Sequence, residues 1–317
     1  MRGFESRWKD FPDYILGITK EIWEGRSVGP KITQYYGKDV IVRMPGGLAT
    51  GVEATIAATN ATLHEFPDRT LLGEDVIWSG TPEDGMLSSH RILSTATHAR
   101  DGAFGPATGR KIVSRAIADC YAKDGQITDE WLVRDNGGIL RQLGVDPRDW
   151  AAAKVAQGAT VFTPERNIVG PYTGRGNTNE WGAALSDILQ RMMQSAFSEI
   201  PKRFDRACHL EYPGARTAHG HAAADQFWLS LRSAFPDAIF SIDHQIGRED
   251  PLLPPRAAVR WSLRGAHSGW GSFGEPSGSD VYIMGFTQAE FGPYGLRREY
   301  TIYDEASIWM QIVAHTG

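Results

Sequence analysis

The sequence contains little cysteine, no long apolar run and no excess of positive charge, and each of these absences excludes a class of protein. Its two cysteines, Cys120 and Cys208, are too few for a disulfide framework and lack the close spacing of a metal-binding motif. The apolar runs are well short of the ~20 residues that a membrane-spanning helix needs. With 33 Lys and Arg against 38 Asp and Glu, the net charge is −5, and no basic stripe is present to neutralise nucleic-acid phosphates.

The segment Met1–Trp8 also has no apolar stretch of the kind that a secretory signal contains. We therefore expect no such signal. Scarce cysteine and the missing signal together predict a cytoplasmic protein, and the charge and the short apolar runs predict neither a nucleic-acid nor a membrane partner.

What the sequence does contain is typical of a soluble globular protein. The chain has 317 residues, of which 41% are hydrophobic and 22% charged. This length is sufficient for two hydrophobic cores of about 150 residues each. Thirty-five glycines and 17 prolines interrupt short strand-like runs, which indicates a sheet-rich protein with many turns.

An internal repeat with an offset of 169 residues predicts the domain organisation. When residues 66–142 are aligned without a gap to residues 235–311, 15 of the 77 positions are identical, where average composition would give roughly five. The identities include Phe66-Pro67-Asp68 with Phe235-Pro236-Asp237, His98 with His267 and Glu130 with Glu299. We therefore predict two copies of one domain, at residues 1–157 and 180–317, joined by a linker at residues 158–179.

Within the first copy, helical patterns precede a series of strands. Helices are predicted at residues 10–24, 31–36 and 51–65, with a short strand at residues 40–42. Four strand-like runs follow at residues 71–78, 86–98, 111–122 and 127–134. This order predicts an α+β fold in which helices cover one face of a meander of antiparallel strands, and the second copy repeats it from about residue 180.

Two groups of residues resemble the motifs of a known family, the SnoaL-like polyketide cyclases of the NTF2-like superfamily. One group forms a glycine-rich turn (His98, Gly102, Phe104, Gly105, Thr108, Gly109), and the other surrounds the last strand (Asp124, Gly125, Glu130, Trp131, Asp135, Gln142). The second copy matches less closely. The resemblance implies two tandem NTF2-like (cystatin-like cone) domains, each a curved antiparallel sheet wrapped by N-terminal helices around an apolar cup.

The resemblance also implies a class of reaction. Many members of the family transfer protons inside the cup, using an acidic residue and a histidine without metal or cofactor. For this chain it implies no cofactor, a small organic molecule in one or both cups, and an isomerase, cyclase, dehydratase or lyase of SnoaL-like type. A non-catalytic small-molecule-binding or assembly module is the alternative, because a fold does not determine a function.

The catalytic residues of the family are not present at their usual positions. Its acid follows the Trp of the last strand, where this chain has Leu132 and Thr301, and its histidine would fall near Ala118 or Thr287. Any activity must therefore use other groups, and whether the protein is an enzyme stays open at this point.

The candidate acids are Glu130 and Glu299, because strand alternation places each on the same face as the position of the family acid. The alternative is that each glutamate binds backbone groups or an arginine near the end of the sheet. His90 is a third candidate, since it shares a strand face with other polar residues. His98 and His267 are also candidates, although their occurrence at one motif position in both copies favours a hydrogen bond that fixes the turn.

Aromatic and polar residues near the predicted cups are candidates for substrate binding. They are Trp78, Asp119, Trp131, Tyr212 and Tyr300. For Asp119 the alternative is the outer face of the sheet, which would be solvated or would form a dimer, so we expect a homodimer or an intramolecular pseudo-dimer. The histidines at His219-Gly220-His221 lack helical spacing and a paired acid, so no metal site is predicted.

Overall fold

The computed structural model describes all 317 residues, and these form two compact units. The first unit contains Met1–Asp146 and Phe162–Gly174, and the second contains Pro147–Val161 and Arg175–Gly317. Each unit has one six-stranded sheet together with helices, which confirms the predicted tandem α+β fold. The units are not divided at one point in the predicted linker. Helix Pro147–Ala156 packs against the last helix, Glu305–Thr316, and therefore belongs to the second unit.

The first unit has three helices before its long strands and one helix after them. Its elements are α1 (Phe11–Trp23), α2 (Val28–Tyr35), β1 (Tyr36–Met44), β2 (Gly47–Thr50), α3 (Gly51–Glu65), β3 (Thr70–Thr81), β4 (Gly85–Thr97), β5 (Lys111–Lys123), β6 (Gln126–Arg134) and α4 (Asn136–Leu143). The strand order in the sheet is β2-β1-β6-β5-β4-β3.

The second unit repeats this arrangement and adds one helix at its N-terminal end. Its elements are α5 (Pro147–Ala156), α6 (Glu180–Met193), α7 (Ile200–Arg203), β7 (Phe204–Tyr212), β8 (Arg216–His219), α8 (His221–Ala234), β9 (Ile239–Arg248), β10 (Arg256–Ala266), β11 (Asp280–Gly292), β12 (Gly295–Tyr303) and α9 (Glu305–Thr316). The strand order is β8-β7-β12-β11-β10-β9, the same as in the first unit.

Both sheets are mixed, so the expectation of a purely antiparallel sheet is wrong in this respect. Strand β1 pairs in parallel with β6, with Val42 opposite Glu130, and β7 pairs in parallel with β12. Parallel neighbours need a long crossover connection. Here the chain supplies one, because it leaves β1 through β2 and α3 and completes three further strands before returning as β6.

The pairing register confirms the offset of 169 residues. In the first sheet His90 lies opposite Ala118, which lies opposite Leu132. In the second sheet Val259, Thr287 and Thr301 form the same row. Each cup-facing position of the first sheet therefore has a counterpart in the second.

Helix α1 shows how the sequence builds the cup. The Asp10 side chain caps the helix by accepting a 2.9 Å hydrogen bond from the Asp13 amide, and a proline stands in the first turn. Ile15, Ile18 and Ile22 are buried on one face at helical spacing. Each buried isoleucine contributes about 1.5–3 kcal/mol, so this face holds the helix over the sheet. None of the helices is long and apolar enough to cross a membrane.

The outer face of the first sheet is covered by the chain segment Phe162–Gly174. The buried guanidinium of Arg43 donates hydrogen bonds to Asp129 at 3.0 Å, to Asn167 at 2.7 Å and to the Ile168 carbonyl oxygen at 2.7 Å. The Tyr172 amide donates to the Asp129 carboxylate at 3.1 Å. The segment thus satisfies a buried ion pair on the side of the sheet away from the helices.

Candidate active site

The first unit contains an open pocket between its helices and its sheet. The pocket is open to solvent. Most of its wall is apolar, formed by isoleucines of α1 and by side chains of β1, β4 and β6 (Ile15, Ile18, Ile22, Val42, Ile92, Leu132). Strand β5 contributes only small side chains, Ala116, Ala118 and Cys120, and these leave space in front of the sheet.

Few ionisable side chains interrupt the apolar wall. They are Tyr36, Arg69, His90, Cys120, Glu130 and Arg134. An apolar pocket with a small number of convergent polar groups is the usual form of a small-molecule site.

Glu130 is the acidic group of this pocket. It is buried on β6, and its Oε2 atom accepts a 3.1 Å hydrogen bond from the Tyr36 hydroxyl, its one hydrogen bond. Burial raises the pKa of the Glu130 carboxyl, whereas the hydrogen bond from Tyr36 and the positive charge of Arg134 oppose this rise. A carboxyl with a raised pKa and a free oxygen is suited to accept a proton from a bound molecule.

His90 is the histidine of this pocket. Burial lowers the pKa of its imidazole to about 4, and the charge of Arg91 acts in the same direction. The ring is therefore neutral at pH 7. Its Nε2 atom is buried without a hydrogen-bond partner and faces Gly73, where an added Cβ would lie 3.0 Å from it.

The second unit has the same frame, but aromatic side chains occupy its cup. Trp261 takes the place of Ile92, and Gly285 takes the place of Ala116 directly opposite it. A Cβ at Gly285 would lie 2.2 Å from the Trp261 ring, so the glycine is what allows the indole to fit. Trp261 and the neighbouring Trp228 are both 0% exposed.

Glu299 lies within this aromatic core and is fully hydrogen-bonded. Its Oε1 accepts from the Trp228 indole at 3.1 Å and from the Thr301 hydroxyl at 2.7 Å, and its Oε2 accepts from the Tyr212 hydroxyl at 3.1 Å. Burial raises the pKa of Glu299 to about 7, although the three hydrogen bonds oppose this rise. The chain of donors continues through Thr287, whose hydroxyl lies 2.9 Å from Thr301 and accepts from Trp261 at 3.0 Å. Glu299 therefore connects several core side chains by hydrogen bonds, and both of its carboxyl oxygens are already bonded to them.

The histidines of the glycine-rich turns lie outside the pocket lining. His98 is buried, with its Nε2 3.1 Å from Glu65 and its Nδ1 3.1 Å from the Thr108 hydroxyl. In His267 only the Nδ1 atom makes such a contact, and it lies 3.0 Å from the Ser277 hydroxyl. In both copies the backbone N–H and C=O groups of the histidine form hydrogen bonds with residues at the far end of the turn. These contacts favour a role of the histidine in fixing the turn.

The aromatic and acidic candidates for substrate binding are distributed over several places. Trp78 packs against Phe11, with ring centroids 5.7 Å apart, and is absent from the pocket lining. Asp119 and Trp131 are neighbours on the outer face of the first sheet, where the Arg43 guanidinium lies 4.3 Å from the Trp131 ring. Tyr212 contacts Glu299, whereas Tyr300 alternates to the opposite face of β12 and lies near His209.

Three pocket residues were missed from the sequence. Arg134 could have been found, because alternation along β6 places it on the same face as Glu130. Tyr36 stands at the junction of α2 and β1, and Arg69 precedes β3 in a turn. No periodicity extends to such positions, so the sequence carries no signal for them.

Solved structures resemble parts of this chain. IdmH of Streptomyces antibioticus, a proposed polyketide cyclase, shares 24% identity over 42% of this chain and 98% of its own, with a TM-score of 0.37. A proposed polyketide cyclase of Acidithiobacillus ferrooxidans shares 17% identity over 44% of this chain and 97% of its own, with a TM-score of 0.38. AclR of Streptomyces galilaeus, a proposed hydroxylase, shares 16% identity over 43% and 85%, with a TM-score of 0.37.

No curated protein matches the chain in sequence. One family model does match: the SnoaL-like polyketide cyclase model covers residues 13–143. These residues include most of the first unit and its open pocket. The match supports a small-molecule, enzyme-like role for that unit.

Proposed function

We propose, since residues 13–143 match the SnoaL-like polyketide cyclase family model, that the first unit is an enzyme that transfers protons on a small organic molecule. Isomerisation, cyclisation, dehydration and retro-aldol cleavage all begin with such a transfer. The second unit has a structural role. The proposal requires no cofactor, because side chains of the cup supply the proton transfer.

One observation carries this proposal: the same glutamate position has an open environment in one unit and a closed one in the other. Glu130 accepts one hydrogen bond and faces a pocket, whereas Glu299 accepts three and faces buried tryptophans. A group can act on a substrate only if the substrate can reach it.

In the proposed reaction, Glu130 removes a proton from a carbon next to a carbonyl group of the bound molecule. The apolar wall favours this step, because it disfavours the charged carboxylate more than the neutral acid that the transfer produces. Tyr36 holds one carboxyl oxygen, so the other is directed to the substrate. His90, neutral at pH 7, offers a hydrogen bond to the substrate without adding charge.

A non-catalytic binding module is the second candidate, and one observation favours it. At the two positions where the family keeps its acid and its histidine, the first cup has Leu132 and Ala118, and both line the pocket. Such a module would bind the same ligands without transferring a proton.

Proton removal by the cup can be measured with 5-nitrobenzisoxazole, a small neutral carbon acid. A base removes its C–H proton as the N–O bond breaks, and the product, 2-cyano-4-nitrophenolate, is coloured. We expect saturable catalysis that rises with pH as Glu130 ionises. Glu130→Gln should reduce the rate by about 10²- to 10⁴-fold, because it keeps the size of the side chain and removes the base.

Glu299→Gln is the matched control, since it makes the same change in the filled cup, and it should leave the rate unchanged. If Glu130→Gln retains the wild-type rate while remaining folded, Glu130 is not the base. Saturable binding of the probe without any catalysis would favour the binding module instead.

A further inference from the structure

The cup of the first unit is lined by two arginines that have no role in the proposed proton transfer. Arg69 precedes β3, and Arg134 is the last residue of β6. Both line the pocket. Arginine is an unusual component of a wall that is otherwise mostly apolar, because removing a charged side chain from water is costly.

Arg69 has no acidic partner in the protein. Its Nε atom donates a 2.9 Å hydrogen bond to the Ser94 hydroxyl, and its guanidinium lies 5.0 Å from the Trp23 ring. These contacts orient the group but do not neutralise it. Burial lowers the pKa of Arg69, and the positive charge of Arg134 lowers it further, so the two cations are close enough to repel each other.

The fold itself does not require this pair. At the equivalent positions the second unit has Ala238 and Tyr303, and its cup is filled. Only the unit with the open pocket contains the two arginines. A pair of cations that repel each other within a pocket is a suitable arrangement for binding an anion.

We propose that Arg69 and Arg134 form an anion subsite, so that the molecule bound in the cup is an apolar organic acid whose carboxylate lies between the two guanidinium groups. This rests on the proposed function, in that it names the class of molecule on which the cup acts.

The register places the anion subsite at one end of the cup and Glu130 at the other. On β6, Arg134 and Glu130 are four residues apart on one face, which is ~13 Å along the strand. His90 lies in the row between them, opposite Ala118 and Leu132. The carboxylate would therefore be held away from Glu130, and the reacting carbon would lie further along the molecule, beside Glu130 and His90.

Two molecules of one shape but different charge test this subsite: 1-naphthaleneacetate and its neutral amide, 1-naphthaleneacetamide. Binding of each to the full chain is followed by calorimetry or by naphthalene fluorescence. We expect the wild-type protein to bind the carboxylate at least ~10-fold more tightly than the amide. Arg69→Gln and Arg134→Gln should each remove most of this preference and leave binding of the amide within about twofold.

Two controls separate the subsite from general charge and from folding. Lys123→Gln removes one exposed cation from the same unit and should change neither affinity. Arg69→Lys keeps the charge and should keep the preference for the carboxylate. If Arg69→Gln weakens both probes equally while Arg69→Lys weakens neither probe, the arginine shapes the pocket and the anion subsite is refuted.

Equal affinity of the wild-type protein for the two probes would also overturn the subsite, and so would the absence of binding to either. Neither result decides the proposed function, because 5-nitrobenzisoxazole is neutral and reports on Glu130 alone. Conversely, if the protein prefers the carboxylate but does not catalyse the reaction, the anion subsite is supported and the proposed enzymatic function is refuted.

Discussion

The stability of the second unit should depend on pH through Glu299, and the substitution Glu299→Gln should remove this dependence. In the folded protein, burial raises the pKa of the Glu299 carboxyl from 4.5 to about 7. The unfolded chain exposes this group, whose pKa then returns to its ordinary value. Between these two pKa values the folded state binds a proton that the unfolded state has released.

The sign of the effect follows from this difference in bound protons. Because the folded state holds more protons, the free energy of unfolding falls as pH rises through this range. A pKa displaced from 4.5 to about 7 corresponds to ~3 kcal/mol once the carboxyl is ionised in both states. About 2 to 3 kcal/mol of this change should occur between pH 5 and pH 8.

The glutamine of Glu299→Gln can form the same hydrogen bonds as the glutamate that it replaces. The amide oxygen of glutamine can accept from Trp228 and Thr301 as Oε1 does, and its NH₂ group can donate to the Tyr212 hydroxyl, which now donates to Oε2. Glu299→Gln therefore keeps all three contacts and loses only the titrating proton.

The assay is urea unfolding of both proteins at pH 5 and pH 8, followed by far-UV circular dichroism. The difference between wild type and variant cancels the contributions of all other groups, so the variant should gain about 2 to 3 kcal/mol relative to wild type at the higher pH. Glu275→Gln, which changes an exposed glutamate, should show no such gain. If the free energies of unfolding of wild type and variant differ by the same amount at both pH values, the reasoning is refuted.

Three further perturbations test the packing of the first unit. The double substitution Ile92→Trp with Ala116→Gly copies the filled cup of the second unit and should weaken binding of 1-naphthaleneacetamide by at least ~10-fold in a fluorescence titration without unfolding the protein. Gly102→Ala should lower the free energy of unfolding by about 1–3 kcal/mol, because its Cβ would lie 2.3 Å from the carboxyl carbon of the buried, hydrogen-bonded Glu65. Arg43→Met should lower it by about 3–5 kcal/mol in urea unfolding, because it leaves a buried carboxylate without its cation.

The sequence predicts the elements of the fold well and their partners less well. The repeat and the alternation of side chains place the strand at residues 127–134 within one residue of β6, and they place Glu130 and Leu132 on one face, as the pocket confirms. The parallel pairing of β1 with β6 was missed, because side-chain alternation in one strand contains no information about the direction of its neighbour.

Which cup is open could not be predicted for a related reason. The residues that decide it, Ile92 with Ala116 in one unit and Trp261 with Gly285 in the other, are about 24 positions apart in sequence and meet only through the register of two strands. A tryptophan in a sequence indicates a core or a pocket equally well. The glycine opposite Trp261 leaves room for the indole, and this pairing is visible only in the structure.

The identity of Glu130 and Glu299 therefore reflects a shared position rather than a shared role. A carboxyl buried behind the last strand is tolerated in either unit only if its surroundings compensate for the loss of water. In the second unit, three donors offset part of this loss, and they occupy both carboxyl oxygens. In the first unit one donor compensates in part, and the remaining oxygen faces open space in which the arginines favour an anion. The number of donors around each glutamate, together with the space beside it, is what distinguishes a structural carboxyl from one available for chemistry.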